Sequence, residues 1–432
     1  MTTDKRPFGF WTATALVVGG MIGSGIFMMP AALAPFGWTG SVAWVVSVVG
    51  ALAIAYTLGR LAQEMPGASG AVAIAGAALG ELPGVLIGWS YWISVWCANA
   101  AIAIAAASYL AALVPALNAK PLTGALTSVA LLWLLTLLNL AGARRAGQFQ
   151  VVTTILKIVP LIAVVAIAAW LGARGGAQLP AVPPSATLFG GLAAAVTLTL
   201  FPLVGFEAAA IAAERVQEPG RTVLRASMAG TAVTGLLYIL VCSAIVLLLP
   251  TTAVAESPAP FALFVRTFWG GAASDAIAAF AAIAAIGALN GWVLIQGEVP
   301  LGMARAGLLP RWFARVSSRD VPMRVLLLSS GLASVLILTT SSPNLGGIFQ
   351  FAALLTTCSS LWLYIAICAA ALMRRTAVPA ALVGLAFSLF AFYGAGWQAA
   401  GLSVALMLTA VPLYLFELRR PAEQSAQEAA IP

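Results

Sequence analysis

The sequence predicts an all-α membrane protein with about twelve transmembrane helices, built as an inverted five-plus-five repeat followed by two further helices. Three observations lead to this prediction. Hydrophobic residues make up 62% of the 432 and charged residues only 8%, whereas a soluble domain carries roughly 25% charged residues. Apolar runs long enough to cross a bilayer recur along the chain. The first and the sixth of these runs are interrupted near their middle by glycine or proline.

A transmembrane helix needs roughly 20 apolar residues. Runs of about this length lie near 10–34, 39–59, 83–114, 123–142, 149–172, 187–212, 223–249, 274–303, 323–341, 346–372, 378–396 and 399–417. The third and eighth are long, so we expect them to be tilted. The proline-containing stretch 174–186 is predicted to be an external loop. We expect no cleavable signal peptide, because the first run continues into the body of the protein.

The positions of lysine and arginine predict the orientation. If the N-terminus is cytoplasmic, 17 of the 21 basic residues face the cytoplasm. Lys120, Arg174 and Arg266 face outward, and Lys157 lies within a span. A shift of the span count by one would remove this asymmetry. The sequence therefore predicts a bacterial inner-membrane protein with both termini in the cytoplasm.

The two interrupted runs predict the repeat. The first contains Gly19-Gly20-Met21-Ile22-Gly23-Ser24-Gly25, and the sixth contains Phe201-Pro202-Leu203-Val204-Gly205-Phe206-Glu207. Broken backbone at membrane depth is tolerated where it lines a cavity. Breaks five spans apart predict a midplane binding site between two inverted repeats. The repeats are expected at 1–172 and 187–372, with two last helices at 378–417 and a cytoplasmic tail at 418–432.

Several classes of protein are disfavoured. The four cysteines lie unpaired in apolar runs and there is no histidine, so neither a metal site nor a disulfide frame is predicted. Gly23-Ser24-Gly25 superficially resembles a serine nucleophile, but no histidine can activate it. We expect no catalytic residue and no cofactor. The basic residues lie in short loops, which disfavours nucleic-acid binding. A channel is also disfavoured. Its filter would need a ring of carbonyls or charges around a symmetry axis, which one intramembrane carboxylate and one lysine per chain do not build without oligomerisation.

The break in the first run provides one candidate site. Amide groups at the start of the second half-helix suit a carboxylate, and Ser24 adds a hydroxyl. The carbonyl groups of Met21, Phe201 and Val204, freed by the breaks, are candidates for binding an ammonium group. An amino acid carries both groups. The alternative is a structural kink that holds no ligand.

Polar or aromatic side chains within spans are further candidates. Glu207 is expected to gate, to carry a proton or to balance a cationic substrate, or else to be a structural partner. Lys157 is expected to take the place of a sodium ion or to release a proton, or else to snorkel to the surface. Trp292 suits stacking on a cation, or ordinary packing. Tyr91, Ser94 and Asn99 are predicted to share one helix face, with helix–helix hydrogen bonding as the alternative.

These motifs resemble the amino acid–polyamine–organocation superfamily over nearly the full length, and within it the basic amino acid/polyamine antiporters, specifically arginine/agmatine antiporters. The resemblance is carried by Gly20-Met-Ile-Gly-Ser-Gly-Ile-Phe27 with Pro30, Gly205-Phe-Glu207, Glu218-Pro219-Gly-Arg221, Gly291-Trp292, and Ala304-Arg-Ala-Gly307-Leu-Leu-Pro310 with Pro322. It implies a LeuT-like fold and alternating access.

The resemblance also implies roles for single positions. Gly23, Ser24 and Gly25 resemble a carboxylate-binding turn, and the carbonyls of Met21, Phe201 and Val204 resemble those that bind an α-amino group. Trp292 resembles a stacking partner for a guanidinium, with Ser94, Val95 and Asn99 along the side-chain pocket. Tyr91 and Glu207 resemble gate residues. Phe201 stands where the antiporters have a tryptophan, Gly20 where they have an asparagine and Val95 where they have a small thiol.

Lys157 departs from the arginine/agmatine pattern and is similar to the lysine of sodium-independent transporters in the same superfamily. We therefore expect a sodium-independent secondary transporter in the lipid bilayer that exchanges cationic amino acids or their amines. The alternative is a neutral L-amino acid exchanger or a proton-coupled symporter. The expected partner is a small-molecule amino acid or amine, and a homodimer is left open.

Overall fold

The computed structural model describes residues 9–65, 68, 70–141, 156–176, 178–211, 216–318, 321–339 and 345–418. Within these ranges the chain consists of helices joined by turns. The principal helices are α1 (Phe10–Met21), α2 (Ser24–Leu33), α3 (Trp38–Glu64), α4 (Ala71–Leu79), α5 (Glu81–Leu113), α6 (Pro121–Leu140), α7 (Ile158–Ala173), α8 (Leu192–Leu200), α9 (Ala208–Ile211), α10 (Pro219–Leu248), α11 (Pro260–Trp269), α12 (Gly271–Arg305), α13 (Met323–Thr339), α14 (Leu345–Met373), α15 (Val378–Gly394), α16 (Gly396–Leu408) and α17 (Ala410–Leu418).

Seven helices among the described residues are long and apolar enough to cross a membrane: α3, α5, α6, α10, α12, α14 and the joined segment Gly396–Phe416. The pair α1 and α2 forms one further candidate span, bent by 45° at the break. Shorter apolar helices are α7, α13, α15 and the segment Leu192–Leu203. Each predicted run overlaps one of these helices. The prediction of several apolar helices is confirmed, and the count of twelve crossings stays a prediction.

Both predicted breaks are present. Gly23 separates α1 from α2 in an extended conformation (φ −120°, ψ −162°). In the sixth run, α8 ends at Leu200 and a single 3₁₀ turn follows at Phe201–Leu203. Gly205 then adopts φ +115°, a value that side chains other than hydrogen rarely tolerate. Pro202 cannot donate a backbone hydrogen bond, and with Gly205 it weakens the helix at the point where α8 ends.

The short helices α4 and α11 were not predicted. They have 9 and 10 residues, about half the length that a membrane span needs. α11 buries Phe261, Phe264 and Val265, so packing of these side chains holds it although its apolar run is too short for a span. α10 begins at Pro219, four residues before its predicted apolar run, because helix formation continues through the polar segment containing Arg221.

The helix α5 lies at the centre of the fold. In its most apolar stretch 94% of the residues are buried inside the protein, and it packs along α12 and α14. The segment Gly396–Phe416 is peripheral, with only 17% of such residues buried. The first part of the predicted fifth span, 149–155, lies outside the described residues, as does the tail beyond 418.

Candidate functional site

The two breaks touch through their backbones. A Cβ atom built on Gly205 would lie 3.0 Å from the carbonyl carbon of Gly20 and 3.3 Å from the amide nitrogen of Met21. A Cβ on Gly25 would lie 2.9 Å from the ring of Phe201 and 3.3 Å from the Cα of Pro202. Real Cβ atoms essentially never come as close as 2.9 Å. Glycine at positions 25 and 205 is therefore what allows the two broken spans to meet.

A small cavity lies where the breaks meet. Its volume is about 20 Å³, enough for little more than one water molecule. Six predicted site residues line it: Met21, Gly23, Gly25, Phe201, Val204 and Trp292. The Phe201 ring packs edge-on against Phe349, with 5.7 Å between ring centroids. An amino acid does not fit in this volume, and we call this arrangement of the two breaks the closed form.

The backbone groups at the breaks differ in their hydrogen bonding. The carbonyl of Met21 accepts bonds from the amide of Gly23 (2.7 Å) and from the hydroxyl of Tyr238 (2.7 Å). The expectation that this carbonyl is freed by the break is thus wrong for the closed form, because both of its lone pairs are used. The carbonyl of Phe201 accepts from the amide of Val204 at 3.2 Å.

Two groups remain available at the breaks. No described residue donates a hydrogen bond to the carbonyl of Val204. The helix α2 begins after Gly23 without a side-chain cap, and the first amides of a helix have no intrahelical partner. The position of the Ser24 side chain lies outside the described part of the structure. The carbonyl of Val204 in the sixth span thus offers an acceptor, and the first amides of α2 offer donors.

The carboxylate of Glu207 is held from three directions. Tyr91 of α5 donates to Oε1 at 2.8 Å. The amide of Gly205 donates to Oε2 at 3.1 Å, and the hydroxyl of Tyr364 in α14 donates to the same oxygen at 3.3 Å. Glu207 is fully buried. The structure therefore brings Tyr91 and Glu207 together, and it adds Tyr364, which sequence reasoning missed.

Lys157 is also buried, with 1% of its surface exposed. Its ammonium nitrogen donates to the carbonyl of Gly19 at 3.1 Å, two residues before Met21. Snorkelling to the surface is excluded by this burial. The cation instead contacts the first span directly, at the end of α1 that adjoins the break.

The face of α5 toward the cavity is more apolar than predicted. Ala98 and Ile102 line the cavity, together with Thr356 of α14. At 100° per residue, Ala98 and Ile102 lie in the middle of the predicted face, with Ser94 and Asn99 at its two edges. Ser94, Val95 and Asn99 are not part of the lining; the first donates to the carbonyl of Tyr91 (2.6 Å), and Asn99 donates to Gln296 (2.8 Å).

Ala98, Ile102 and Thr356 were missed because alanine, isoleucine and threonine are ordinary packing residues in a span. The spacing of Ala98 and Ile102, one helical turn apart, is the signal that lay within the predicted face. No group of three metal-binding side chains occurs among the residues that the structure describes. The arrangement can bind a small solute by backbone groups and an aromatic wall.

Several apolar helices packed around two broken spans define this chain as a multi-pass membrane protein. The amino acid permease family model matches residues 8–426, and the chain belongs to this family. A cadaverine/lysine antiporter of Escherichia coli (strain K12) is 31% identical over 350 residues, covering 80% of this chain and 78% of the relative. The putrescine transporter PotE of Haemophilus influenzae is 28% identical over 411 residues, covering 92% and 94%.

Proposed function

We propose that this protein is a sodium-independent secondary transporter that exchanges cationic amino acids and/or their amines by alternating access. The observation that carries the proposal is the meeting of two broken spans at a closed cavity with Trp292 in its wall. Backbone donors and acceptors converge there without a metal ligand set in the described residues. Such a site suits a solute that the protein holds and releases unchanged.

The substrate's two ends are bound by opposite breaks in this proposal. The uncapped start of α2, with Gly23, Ser24 and Gly25, binds a carboxylate. The carbonyl of Val204, with that of Phe201, binds an amino group. The carbonyl of Met21 also binds the amino group once Tyr238 or Gly23 no longer donates to it. Because the amine product of decarboxylation lacks a carboxylate, it uses the acceptor side alone.

Trp292 forms the wall against which a cationic side chain stacks. The aliphatic part of the substrate contacts Ala98 and Ile102, which form an apolar strip. Ser94, Val95 and Asn99 reach the side chain only after the cavity widens toward the edges of that α5 face. This places them in the open forms of the transport cycle.

The names of the relatives indicate a class of substrate rather than one compound. One is named for cadaverine and lysine and others for putrescine, whereas the motifs resemble those of arginine/agmatine antiporters. All of these compounds carry a positive charge at the end of a short aliphatic chain. We therefore place lysine, ornithine and arginine, with their amines, in one substrate class for this site.

Tyr91 and Glu207 act as a gate in this proposal, and Lys157 occupies the position of a coupling ion beside the first span. The hydrogen bonds of Tyr91 to Glu207 and of Lys157 to Gly19 support these roles, since each links a break to a neighbouring helix. Sodium is unnecessary if the ammonium of Lys157 supplies the positive charge there.

We also propose the arrangement in the membrane. The bent pair α1–α2 and the four shorter apolar segments would complete twelve spans, with inverted repeats at 1–172 and 187–372, two helices at 378–417 and a tail at 418–432. The protein lies in the bacterial inner membrane with both termini cytoplasmic, as the basic residues predict. A homodimer is compatible with this arrangement.

A neutral L-amino acid exchanger or proton-coupled symporter is the second candidate. It is favoured by the apolar strip of Ala98 and Ile102 and by Lys157, which already contributes a positive charge beside the site. Under this alternative the backbone groups keep their roles. Trp292 then packs against an uncharged side chain.

Counterflow in sodium-free proteoliposomes tests the proposal. Vesicles loaded with unlabelled lysine are diluted into labelled lysine, with cadaverine, putrescine, agmatine, arginine or leucine as competitors. We expect uptake of lysine, competition by the cationic compounds and none by leucine. Trp292→Leu should abolish uptake, whereas Trp269→Leu, a change at an exposed residue of α11, should leave it intact. Uptake of labelled leucine into leucine-loaded vesicles, without counterflow of lysine, would establish the alternative.

A further inference from the structure

One face of α10 carries a line of hydroxyl groups. Ser227, Thr231, Thr234 and Tyr238 recur at spacings of three and four residues, so they lie on one side of the helix. We call these four residues the hydroxyl stripe. None is more than 1% exposed. The stripe ends at the first break, where Tyr238 donates to the carbonyl of Met21 at 2.7 Å.

The position of the hydroxyl stripe follows from two glycines beside it. A Cβ on Gly230 would lie 2.6 Å from Val17 of α1, and one on Gly235 would lie 2.6 Å from Val48 of α3. At 100° per residue, these glycines flank the stripe on opposite sides. The hydroxyl stripe therefore faces the seam where α1, α3 and α10 meet.

Three hydroxyls of the stripe have no partner. The side-chain oxygens of Ser227, Thr231 and Thr234 are buried, and none of them forms a hydrogen bond with a described residue. Other buried hydroxyls, such as those of Thr57 and Thr357, bond to the carbonyl four residues earlier, whereas the isolated Ser108 and Ser359 are unpartnered like the stripe. The stripe departs from this usual arrangement, although an unpaired buried hydroxyl costs free energy.

The spacing of these hydroxyls suggests what satisfies them. The hydroxyls of Ser227, Thr231 and Thr234 do not bond to one another, although side chains four residues apart have Cβ atoms roughly 5–6 Å apart and hydroxyl oxygens bond at about 2.7–2.8 Å. One water molecule bonded to both spans that separation. We propose that a file of bound water molecules runs along the hydroxyl stripe, from the end of α10 that carries Arg221 and Arg225 to the break at Met21.

The file has a defined end. Trp44 of α3 packs edge-on against Tyr238, with 5.4 Å between ring centroids, and the two rings close the seam beyond the break. Met21 lines the central cavity, so the water file reaches the cavity wall from one side of the membrane. Hydroxyls donate and accept, so the file also offers a proton a route along α10. This inference does not depend on the identity of the substrate.

X-ray radiolytic footprinting in lipid nanodiscs tests the water file, because radicals formed from bound water oxidise the adjacent side chains. Tyr238 is compared with Tyr109, which is equally buried but has its hydroxyl engaged with the Phe27 carbonyl and the Phe261 amide. We expect Tyr238 to be oxidised several-fold faster than Tyr109. Equal rates for the two tyrosines would overturn the proposal.

A second measurement uses the isosteric change Thr231→Val, with Thr57→Val as the control for a back-bonded threonine. If water bridges the stripe, Thr231→Val slows the oxidation of Tyr238 and lowers the unfolding temperature more than Thr57→Val does. A higher unfolding temperature with unchanged oxidation of Tyr238 would show a dry seam and sink the proposal. Neither readout requires transport, so failure here leaves the counterflow result independent.

Discussion

The hydroxyl of Tyr91 donates a hydrogen bond to Glu207 at 2.8 Å and thereby joins α5 to the break in the sixth span. The second oxygen of the carboxylate is held by Gly205 and Tyr364. A carboxylate fixed by donors from separate elements cannot move without breaking at least one of these bonds. Any opening of the cavity that displaces the sixth break against α5 or α14 must therefore act on Glu207.

Tyr91→Phe should destabilise the closed form. It removes the shortest hydrogen bond to Glu207, and a bond to a charged group contributes about 1.5–3 kcal/mol. Thermal unfolding of the purified protein measures the loss. Tyr364→Phe is the matched change at 3.3 Å and should have a smaller effect. A larger loss of thermal stability for Tyr364→Phe would contradict the prediction that Tyr91 makes the stronger hydrogen bond to Glu207.

Glu207→Gln should leave the protein folded and alter transport. Glutamine keeps the volume of the side chain and can still accept from Tyr91, but it neither ionises nor exchanges a proton. Counterflow measured across a pH series should therefore lose the pH dependence that Glu207 provides. The unfolding temperature serves as the control for folding. An unchanged rate and pH profile would remove Glu207 from the gate.

Gly205→Ala should be strongly destabilising. Its Cβ would lie 3.0 Å from the backbone of Gly20, and the residue sits at φ +115°, so we expect a loss of about 1–3 kcal/mol from backbone strain alone. Gly331→Ala is the control, because Gly331 lies within α13 and a Cβ added there would have no other atom within 4 Å. There alanine should stabilise by about 0.5–1 kcal/mol. Thermal unfolding that gave both variants the same sign would contradict the close contact of the breaks.

Lys157→Met should slow sodium-free counterflow. The change keeps an unbranched apolar chain but removes the cation that bonds to the Gly19 carbonyl, so the first span loses its fixed positive partner. Lys120→Met, at an exposed position, should transport like the unaltered protein. Transport by Lys157→Met at the unaltered rate, with or without added sodium, would end the role of Lys157 as a substitute for a coupling ion.

The broken spans could be predicted because clustered glycine and proline inside an apolar run disfavour a continuous helix at that point. The side chains that form hydrogen bonds to the breaks could not be predicted. Tyr364 and Tyr238 are single tyrosines in long apolar helices, and nothing in their local sequence shows that one reaches Glu207 and the other Met21. The hydrogen bond that occupies the Met21 carbonyl depends on how α10 packs against α1, which no local pattern encodes.

The face of α5 shows a similar limit. The periodicity selected a side of the helix that includes Ala98 and Ile102, and the preference for polar residues as site candidates then favoured its edges at Ser94 and Asn99. The closed cavity instead meets Ala98 and Ile102 in the middle. Whether an edge or a centre lines a cavity depends on how far the neighbouring helices stand apart, which changes during a transport cycle while the sequence does not.

The small size of the central cavity has an electrical consequence. With space of about 20 Å³, the cavity where the two described breaks meet holds no aqueous column, so a membrane voltage at this point falls across protein rather than across bulk electrolyte. Moving one elementary charge through 100 mV involves roughly 2.3 kcal/mol. The closed breaks thus act as an electrical barrier at the centre of the described helices.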